Sequence, residues 1–338
     1  MAPTVTAIML AYGAEPWLVD AVGALVASTG VDLDVVLVDN GCTSDAVRAA
    51  KEHARVRVIT PSENTGYTGG CALGAAEATG EYLLFVNSDA IVAADVAARL
   101  VAVAAEPDVG MAMASIRLSD RPDVMNTAGN PIHYVGMVWA GGFGEPASRY
   151  DRRRPVPAGS GCCFAIRREL WAELGGFPIE YFAYHEDTEL SLRLWQRGLS
   201  VQYVPDAVVL HHYEFSRNDL KYYLLERNRL ALLLTTYSTR SLVVLAPMLL
   251  LTEAMVLAAA AVGGWWRPKL RGYAWLWRNR AWLRTRRARL QAERTVPDRS
   301  VMKLMTDRFD PANIEAPRGV GAFNVLARCY WWLAHRLV

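Results

Sequence analysis

Up to about residue 116 the chain alternates short apolar runs with helical stretches, and each run stops abruptly at glycine or polar residues. Val5–Tyr12 ends at Gly13, Val35–Val38 ends at Asp39-Asn40-Gly41, and Tyr82–Val86 ends at Asn87-Ser88-Asp89. Val56–Ile59 and Val109–Ile116 are two further runs of the same kind. Helices are expected between them at about 16–28, from a Thr43 or Ser44 cap to about His53, at 70–79 and at 93–105. Such runs, too short for helices and rich in β-branched residues, predict an α/β fold: a mostly parallel sheet with helices on both faces. Ligands of such sheets bind beyond the carboxyl ends of the strands, so these three polar endings should line one crevice.

The chain has 338 residues, 52% of them apolar, which supports a large core and excludes global disorder. A net charge of +2 excludes nothing by itself. The five cysteines, Cys42, Cys71, Cys162, Cys163 and Cys329, are odd in number and show no C-x-x-C spacing, which speaks against a disulfide framework or a zinc site. Reduced thiols in a cytosolic compartment are expected. The opening MAPTVTAIMLAYG lacks a basic leader and reads as a first strand. No G-x-G-x-x-G follows that strand, which argues against a nicotinamide-dependent oxidoreductase.

Past the irregular, glycine- and aromatic-rich stretch 117–160, a strand is expected within Gly159–Arg167, a short helix at 169–174, and a helix from Glu186 to about Arg197. Two short strands, 201–204 and 207–210, then lead to His211-His212. The His185-Glu186-Asp187 cluster thus opens a helix, where the macrodipole favours negative charge. That is a structural reason for acids there, and Asn, Ser and Asp end strands for turn-making reasons alone. Two such clusters in one α/β frame instead fit a metal-assisted displacement. One carboxylate holds a divalent cation on a departing diphosphate, and another takes the proton of an attacking hydroxyl.

The character changes near 215–220. Arg217–Tyr237 mixes basic and apolar residues, Ser241–Gly264 is almost wholly apolar apart from Pro247, Thr252 and Glu253, and Trp265–Leu290 is dense in Trp and Arg with no acid. The apolar stretch is long enough to cross a bilayer, but Pro247 and Glu253 count against it. The Trp/Arg segments, including Ala322–Val338, suit the interface of an anionic membrane. The expectation is a boundary at 216/217, then a helical membrane-associating region, 217–338, lying on or dipping into the inner leaflet. An ordinary helical subdomain is the alternative. Nucleic-acid binding is not expected, and the apolar tail leaves an oligomer open.

The ordered series AYG, VDNGCTSD, NTGYTGG, FVNSDA, GSGCCFAIRREL, GGFPIEYFAYHEDTELSLRLWQRG, VVLHHYEFS and ERNRLALLL resembles the family 2 glycosyltransferases of GT-A (Rossmann-like) fold, over roughly 4–240. The similarity is to the branch of bacterial rhamnosyltransferases and related enzymes of cell-wall and polysaccharide assembly. It implies that Tyr12 and Gly13 lie against the nucleotide, that Asp39 recognises its base, and that Asn64, Gly66, Tyr67 and Gly70 form a loop around its phosphates. Asn87, Ser88 and Asp89 stand at the family's D-x-D motif, with Asp89 as metal ligand and Asn87 in place of the first Asp. Asp187 is implied as general base with Glu186 in support, and His211 as a second metal ligand, His212 being its close alternative. Arg152-Arg153-Arg154 reads as a solvated loop, Cys162-Cys163 as core, and Trp139 and Phe143 as a wall or a sugar platform.

The implied activity is inverting transfer of a sugar, rhamnose first, from a dTDP- or UDP-linked donor with Mg2+ or Mn2+. The expected acceptor is a polyprenyl-diphosphate-linked saccharide at the cytoplasmic face of the plasma membrane. The rivals are a transferase with a soluble small-molecule acceptor and a catalytically degenerate membrane-bound scaffold.

Overall fold

The computed structural model describes residues 1–213, 218–312 and 319–338. The chain divides into two compact units: Met1–Asn130 with Ala140–Ser191 and Leu199–Glu214, and Pro131–Trp139 with Leu192–Gly198 and Phe215–Val338. The boundary expected at 216/217 and the end of the VVLHHYEFS motif lie outside the described residues.

The first unit opens with β1 (Thr4–Gly13), α1 (Leu18–Val26), β2 (Asp32–Cys42), α2 (Ala46–Ala50), β3 (Val56–Ile59), α3 (Gly66–Ala76) and β4 (Tyr82–Val86). There follow β5 (Ala90–Val92), α4 (Val96–Ala104), β6 (Val109–Leu118), β7 (Arg121–Thr127), β8 (Arg154–Pro155), β9 (Cys163–Arg167), α5 (Arg168–Leu174), α6 (Glu186–Gln196) and β10 (Ser200–His211). Ser191 is the last residue of α6 in this unit.

The strands form one sheet in the order β3-β2-β1-β4-β9-β6-β10-β5, with β7 beside β6 and β8 beside β10. The first four strands are parallel, as their alternation with helices requires. Beyond them the sheet is mixed: β9 runs antiparallel between β4 and β6, β6 and β10 are parallel, and β5 runs antiparallel to β10. Inward-facing residues of β1, β2 and β4 such as Ala7, Val36, Leu37, Leu84 and Phe85 are fully buried, so the sheet is covered as a doubly wound α/β sheet must be.

Three local expectations are revised. The two short strands near 201–210 are one strand, β10, whose register against β6 shifts between Val204 and Val208, where Pro205 interrupts the ladder. The helix expected from Gly70 begins at Gly66, so Gly66, Tyr67 and Gly70 sit on α3 and not in a loop. β5 was not expected, and β7 is one of the short strands expected somewhere within 117–160. β5 is three residues long, and β7 carries Pro122 and Asp123 on the edge of the sheet.

In the second unit α7 (Asp219–Thr236) and α8 (Thr239–Val262) begin at capping side chains. Asn218 Oδ1 accepts from Lys221 N at 2.8 Å and Ser238 Oγ from Ser241 N at 3.0 Å. They are followed by α9 (Trp266–Arg278), α10 (Arg280–Glu293), α11 (Asp298–Met302) and α12 (Val320–Ala334). The 24-residue α8 stays helical through Pro247 and is long and apolar enough to cross a bilayer, the one such helix among the described residues. Its Glu253 is not aimed at lipid. Lys269 Nζ lies 2.8 Å from Glu253 and 2.6 Å from Glu226, Arg229 bonds both carboxylates, and Tyr273 Oη donates to Glu253 at 2.7 Å.

The tryptophans divide. Trp265 stacks on Tyr222 and Trp331 on Tyr134 inside this unit. Trp266, Trp277 and Trp332 are exposed, each under the guanidinium of Arg267, Arg280 or Arg336. Two acids and two cations balance in the buried cluster, so deleting one cation leaves a buried carboxylate uncompensated. Lys269→Met is expected to lower unfolding stability by about 3–5 kcal/mol, read by urea denaturation. A loss under about 1 kcal/mol would mean that water screens the cluster.

Candidate active site

The crevice at the carboxyl ends of β1, β2 and β4 collects Tyr12, Gly13, Asp39 and the Asn87-Ser88-Asp89 turn. The Gly13 carbonyl accepts from Thr43 N at 2.7 Å and so joins the ends of β1 and β2. The ring of Tyr12 is 63% exposed and lies over Gly41, where a Cβ would stand 3.5 Å from it. Asp39 Oδ1 is occupied by the N–H groups of Cys42 (2.9 Å) and Gly41 (3.3 Å), an Asx turn that leaves the other carboxylate oxygen to the crevice.

Asn64 faces the protein through its side chain. Its Oδ1 accepts from Gly66 N and from Asn40 Nδ2, and Asn40 Oδ1 accepts from Thr65 N and Oγ1. The buried Asn40 thus ties the end of β2 to the start of α3. The glycines are explained by packing. Gly66, at φ +71°, would drive a Cβ to 2.4 Å from Phe182 O, and a Cβ on Gly70 would meet Leu10 Cδ2 at 2.3 Å. The close backbone approach expected of a phosphate loop is therefore an approach to Phe182 and to β1.

That approach organises the acidic pair. Thr68 N donates to Phe182 O at 3.1 Å and Thr68 Oγ1 to Ile179 O at 3.2 Å. Phe182, Tyr184 and His185 all take positive φ, each at a cost of about 1–3 kcal/mol, so the surrounding structure must hold them. α6 starts directly after them. Asp187 Oδ2 accepts from Gly161 N at 3.0 Å, and its Oδ1 accepts from Thr188 N at 2.6 Å and Thr188 Oγ1 at 3.2 Å. These donors, with the Asp187 N–H itself, hold the carboxylate in a fixed orientation. Tyr67 Oη donates to Gly161 O at 2.8 Å, so Tyr67, Gly161 and both acids form one group.

Glu186 is buried, and its Oε2 has no hydrogen bond. Burial, with the Asp187 charge adding to it, pushes the Glu186 carboxyl up to about 8. Burial also raises Asp187, opposed by the N–H groups of Gly161 and Thr188. Burial thus raises both carboxyls, and the larger set of donors on Asp187 opposes the rise there, so Glu186 is the member of the pair that holds its proton to higher pH.

The third group lies at the other edge of the crevice. The register of β10 against β5 sets His211 opposite Ala90, beside Asp89. His211 Nε2 is 3.2 Å from Asp89 Oδ1, within ion-pair distance, yet Asp89 Oδ1 is buried with no hydrogen bond, so the contact is not an aligned N–H donation. Asn126 explains why. Its Oδ1 lies 2.9 Å from His211 Nδ1, and as a carbonyl oxygen it takes the ring proton there. With that proton on Nδ1, Nε2 is the ring atom turned toward the carboxylate, and two acceptors face each other. Such a pair suits a cation, with the outer hydrogen bond fixing the tautomer. Among the described residues no three His, Cys, Asp or Glu side chains are placed to hold a metal ion together, so the remaining ligands would be donor oxygens and water, as a hard divalent cation prefers. His212 is turned away, stacked on Trp17 at 3.6 Å and 3.1 Å from Ser119 Oγ.

Glu15 was not anticipated. Tyr12 N donates to its Oε1 at 2.7 Å, its carboxyl bonds Ser88, and burial, helped by the Asp89 charge, raises it. It follows a strand end, the signal that singled out Asp89. Asn40, Asn126, Gly161 and Thr188 were also missed, and of these only Asn40 carried that signal. The arginine run is occupied elsewhere: Arg153 pairs with Glu106 at 2.6 Å and Arg154 lies on the rings of Tyr150 and Tyr203. Cys162 and Cys163 are buried and free, Trp139 is buried edge-on to Phe309, and Phe143 meets Tyr213.

Because folding raises the Glu186 carboxyl above its ordinary 4.5, the folded chain keeps a proton that the unfolded chain loses. Stability from this group is complete below about 4.5 and is lost as pH rises toward 8. Glu186→Gln should flatten the fall in Tm over that window and melt a few degrees above wild type at pH 8. Parallel Tm profiles for the two proteins would refute the assignment.

The model of Glycosyl transferase family 2 matches residues 6–175, half of the chain. An N-acetylglucosaminyl-diphospho-decaprenol L-rhamnosyltransferase of Mycobacterium tuberculosis is 29% identical over 236 residues, 63% of this chain and 77% of the relative. Among solved structures, the mannosyltransferase PcManGT from Pyrobaculum calidifontis, in complex with GDP-Man and Mn2+, superposes with a TM-score of 0.53 at 22% identity, over 87% of this chain and 86% of that one. GalNAc-T7 with UDP, GalNAc and Mn2+ gives 0.57 at 17% identity, over 69% of this chain and 48% of that one. These likenesses establish a GT-A fold.

Proposed function

The chain belongs to glycosyltransferase family 2, and from that membership we propose that it is an inverting transferase moving a sugar from a nucleoside diphosphate to a hydroxyl of a lipid-linked saccharide. The observation that carries the reading is the pair of facing acceptors, Asp89 Oδ1 and His211 Nε2, at the mouth of the crevice that also holds Asp187. A divalent cation bound there would neutralise the diphosphate as it leaves.

The protein's own residues do the rest. Tyr12 presents an exposed ring to the base, and Asp39 offers its free oxygen as the base-recognising acceptor. Gly13, Asn87 and Ser88 border the diphosphate. Asn64, Gly66 and Gly70 act at one remove, by holding the start of α3, and Tyr67 holds Gly161. Asp187, held in orientation by Gly161 and Thr188, takes the proton of the acceptor hydroxyl as that oxygen attacks the anomeric carbon. Glu186 keeps its proton to higher pH. Direct attack from the face opposite the leaving diphosphate inverts the anomeric centre. Glu15 supplies a carboxyl beside Ser88 and Asp89, where Asn87 has replaced an acid.

The decaprenol-linked acceptor and rhamnosyl donor of the mycobacterial relative support a polyprenyl-diphosphate acceptor and rhamnose as the first sugar to test. The donor would be dTDP- or UDP-linked, and the product would serve cell-envelope polysaccharide assembly. The exposed Trp/Arg faces and α8 support a region from 217 onward that lies on the cytoplasmic leaflet of the plasma membrane as a peripheral or monotopic anchor.

Calorimetry with dTDP, UDP and GDP should show one nucleotide bound more tightly with Mn2+ than without, and Asp89→Ala should abolish the difference. Asp187→Asn should keep that binding and lower kcat about 10²–10⁴-fold. Metal-independent binding by the wild type, or full activity of Asp187→Asn, would overturn the assignment.

A further inference from the structure

The second unit contains an apolar cavity of about 900 Å3, at the upper end of the usual range for ligand sites. One wall is α8 from Thr252 to Gly263, roughly 16 Å by the rise of a helix. Phe309, Val320, Phe323 and Met137 form the other walls. We propose that this groove binds the isoprenoid chain of a prenyl diphosphate, the lipid part of the acceptor, which rests on the lipid-linked reading given above.

The lining selects the occupant. It offers a single side-chain hydroxyl, Thr252 Oγ1, which is itself buried without a hydrogen bond. A peptide in the groove would leave its own N–H and C=O groups unpaired. A branched hydrocarbon chain has none to satisfy. The charge pattern points the same way. Gly263, at one end of the groove, is followed within four residues by Trp265, Trp266 and Arg267, the start of a tract with no acid between Glu253 and Glu293; of its nine cations Lys269 is taken up by Glu226 and Glu253 and Arg289 by Glu293, and the tract stays net cationic. An anionic diphosphate at the end of an apolar chain complements that order. A second copy of this chain would bring an equally cationic tract against it and be repelled. Ala258, Ala259 and Val262 of the lining are open to solvent in the free chain, so a tail has a route of entry.

The test uses the full chain and a geranylgeranyl diphosphate carrying a terminal benzophenone, with crosslinks mapped by peptide sequencing. Crosslinks should fall on 252–263 and 320–323, and excess farnesyl diphosphate should compete where inorganic diphosphate does not. Ala259→Trp should cut this labelling at least tenfold with UDP binding unchanged. Ala258→Phe, a second substitution at an exposed lining position, should do the same, so a misfolded variant does not decide the matter. Competed labelling at another place would overturn the groove and leave the lipid-linked acceptor standing. Labelling that nothing competes would overturn both. Labelling spread equally over Val243 and Leu250, insensitive to both variants, would make the groove plain membrane surface. A dimer in light scattering that becomes a monomer in Ala259→Trp would show a second copy in the groove and contradict the proposal.

Discussion

The antiparallel pairing of β10 with β5 is the constraint on which the crevice depends. It sets His211 opposite Ala90 and so beside Asp89, at the turn where β4 ends. On its other side β10 runs parallel to β6, and β7, paired with β6, supplies Asn126 to orient the imidazole. A slip of one residue in this register would turn His211 to the opposite face of the sheet. The edge strand thus does for Asp89 and His211 what the α3–Phe182 approach does for the acidic pair. Each brings a distant part of the sequence to a strand end and fixes a side chain in one tautomer or charge state.

The two halves of the crevice use burial in opposite ways. At Asp187 the cost of burying a carboxylate is opposed by the N–H groups of Gly161 and Thr188 and the Thr188 hydroxyl, while Glu186 Oε2 has no hydrogen bond and burial pushes that carboxyl up. At Asp89 a buried oxygen faces a bare ring nitrogen, an arrangement that a bound cation would relieve. The second unit handles its buried charges differently again. There Glu226 and Glu253 meet Arg229 and Lys269 directly, which lets α8 carry an acid without exposing it.

Much of this was legible before any coordinates. The parallel strands β1 to β4 are each a compact β-branched run with a polar stop, and α6 is announced by HED before an amphipathic stretch. What stayed hidden depends on tertiary contact. Glycines in NTGYTGG read as a loop because glycine is a poor helix former. They form the start of α3 because Gly70 and Gly74 let the helix close on Leu10 and Ile8. β5 is too short to show a period, β7 contains a proline, and Pro205 disguises the continuity of β10. Asn126 lies on β7, whose place within 117–160 no local pattern marked, so nothing in the sequence pointed to it. Gly66 and Gly70, read as part of a loop, lie on α3 because their missing side chains let the helix close on Phe182 and Leu10.

If the facing acceptors Asp89 Oδ1 and His211 Nε2 ligate a divalent cation, electron spin-echo spectroscopy of Mn2+ bound to the full chain with UDP will detect the imidazole. A nitrogen coupling from one directly ligated imidazole is expected, lost in His211→Ala and retained in His212→Ala. Bound Mn2+ with no such coupling, or a coupling that survives His211→Ala, would contradict it.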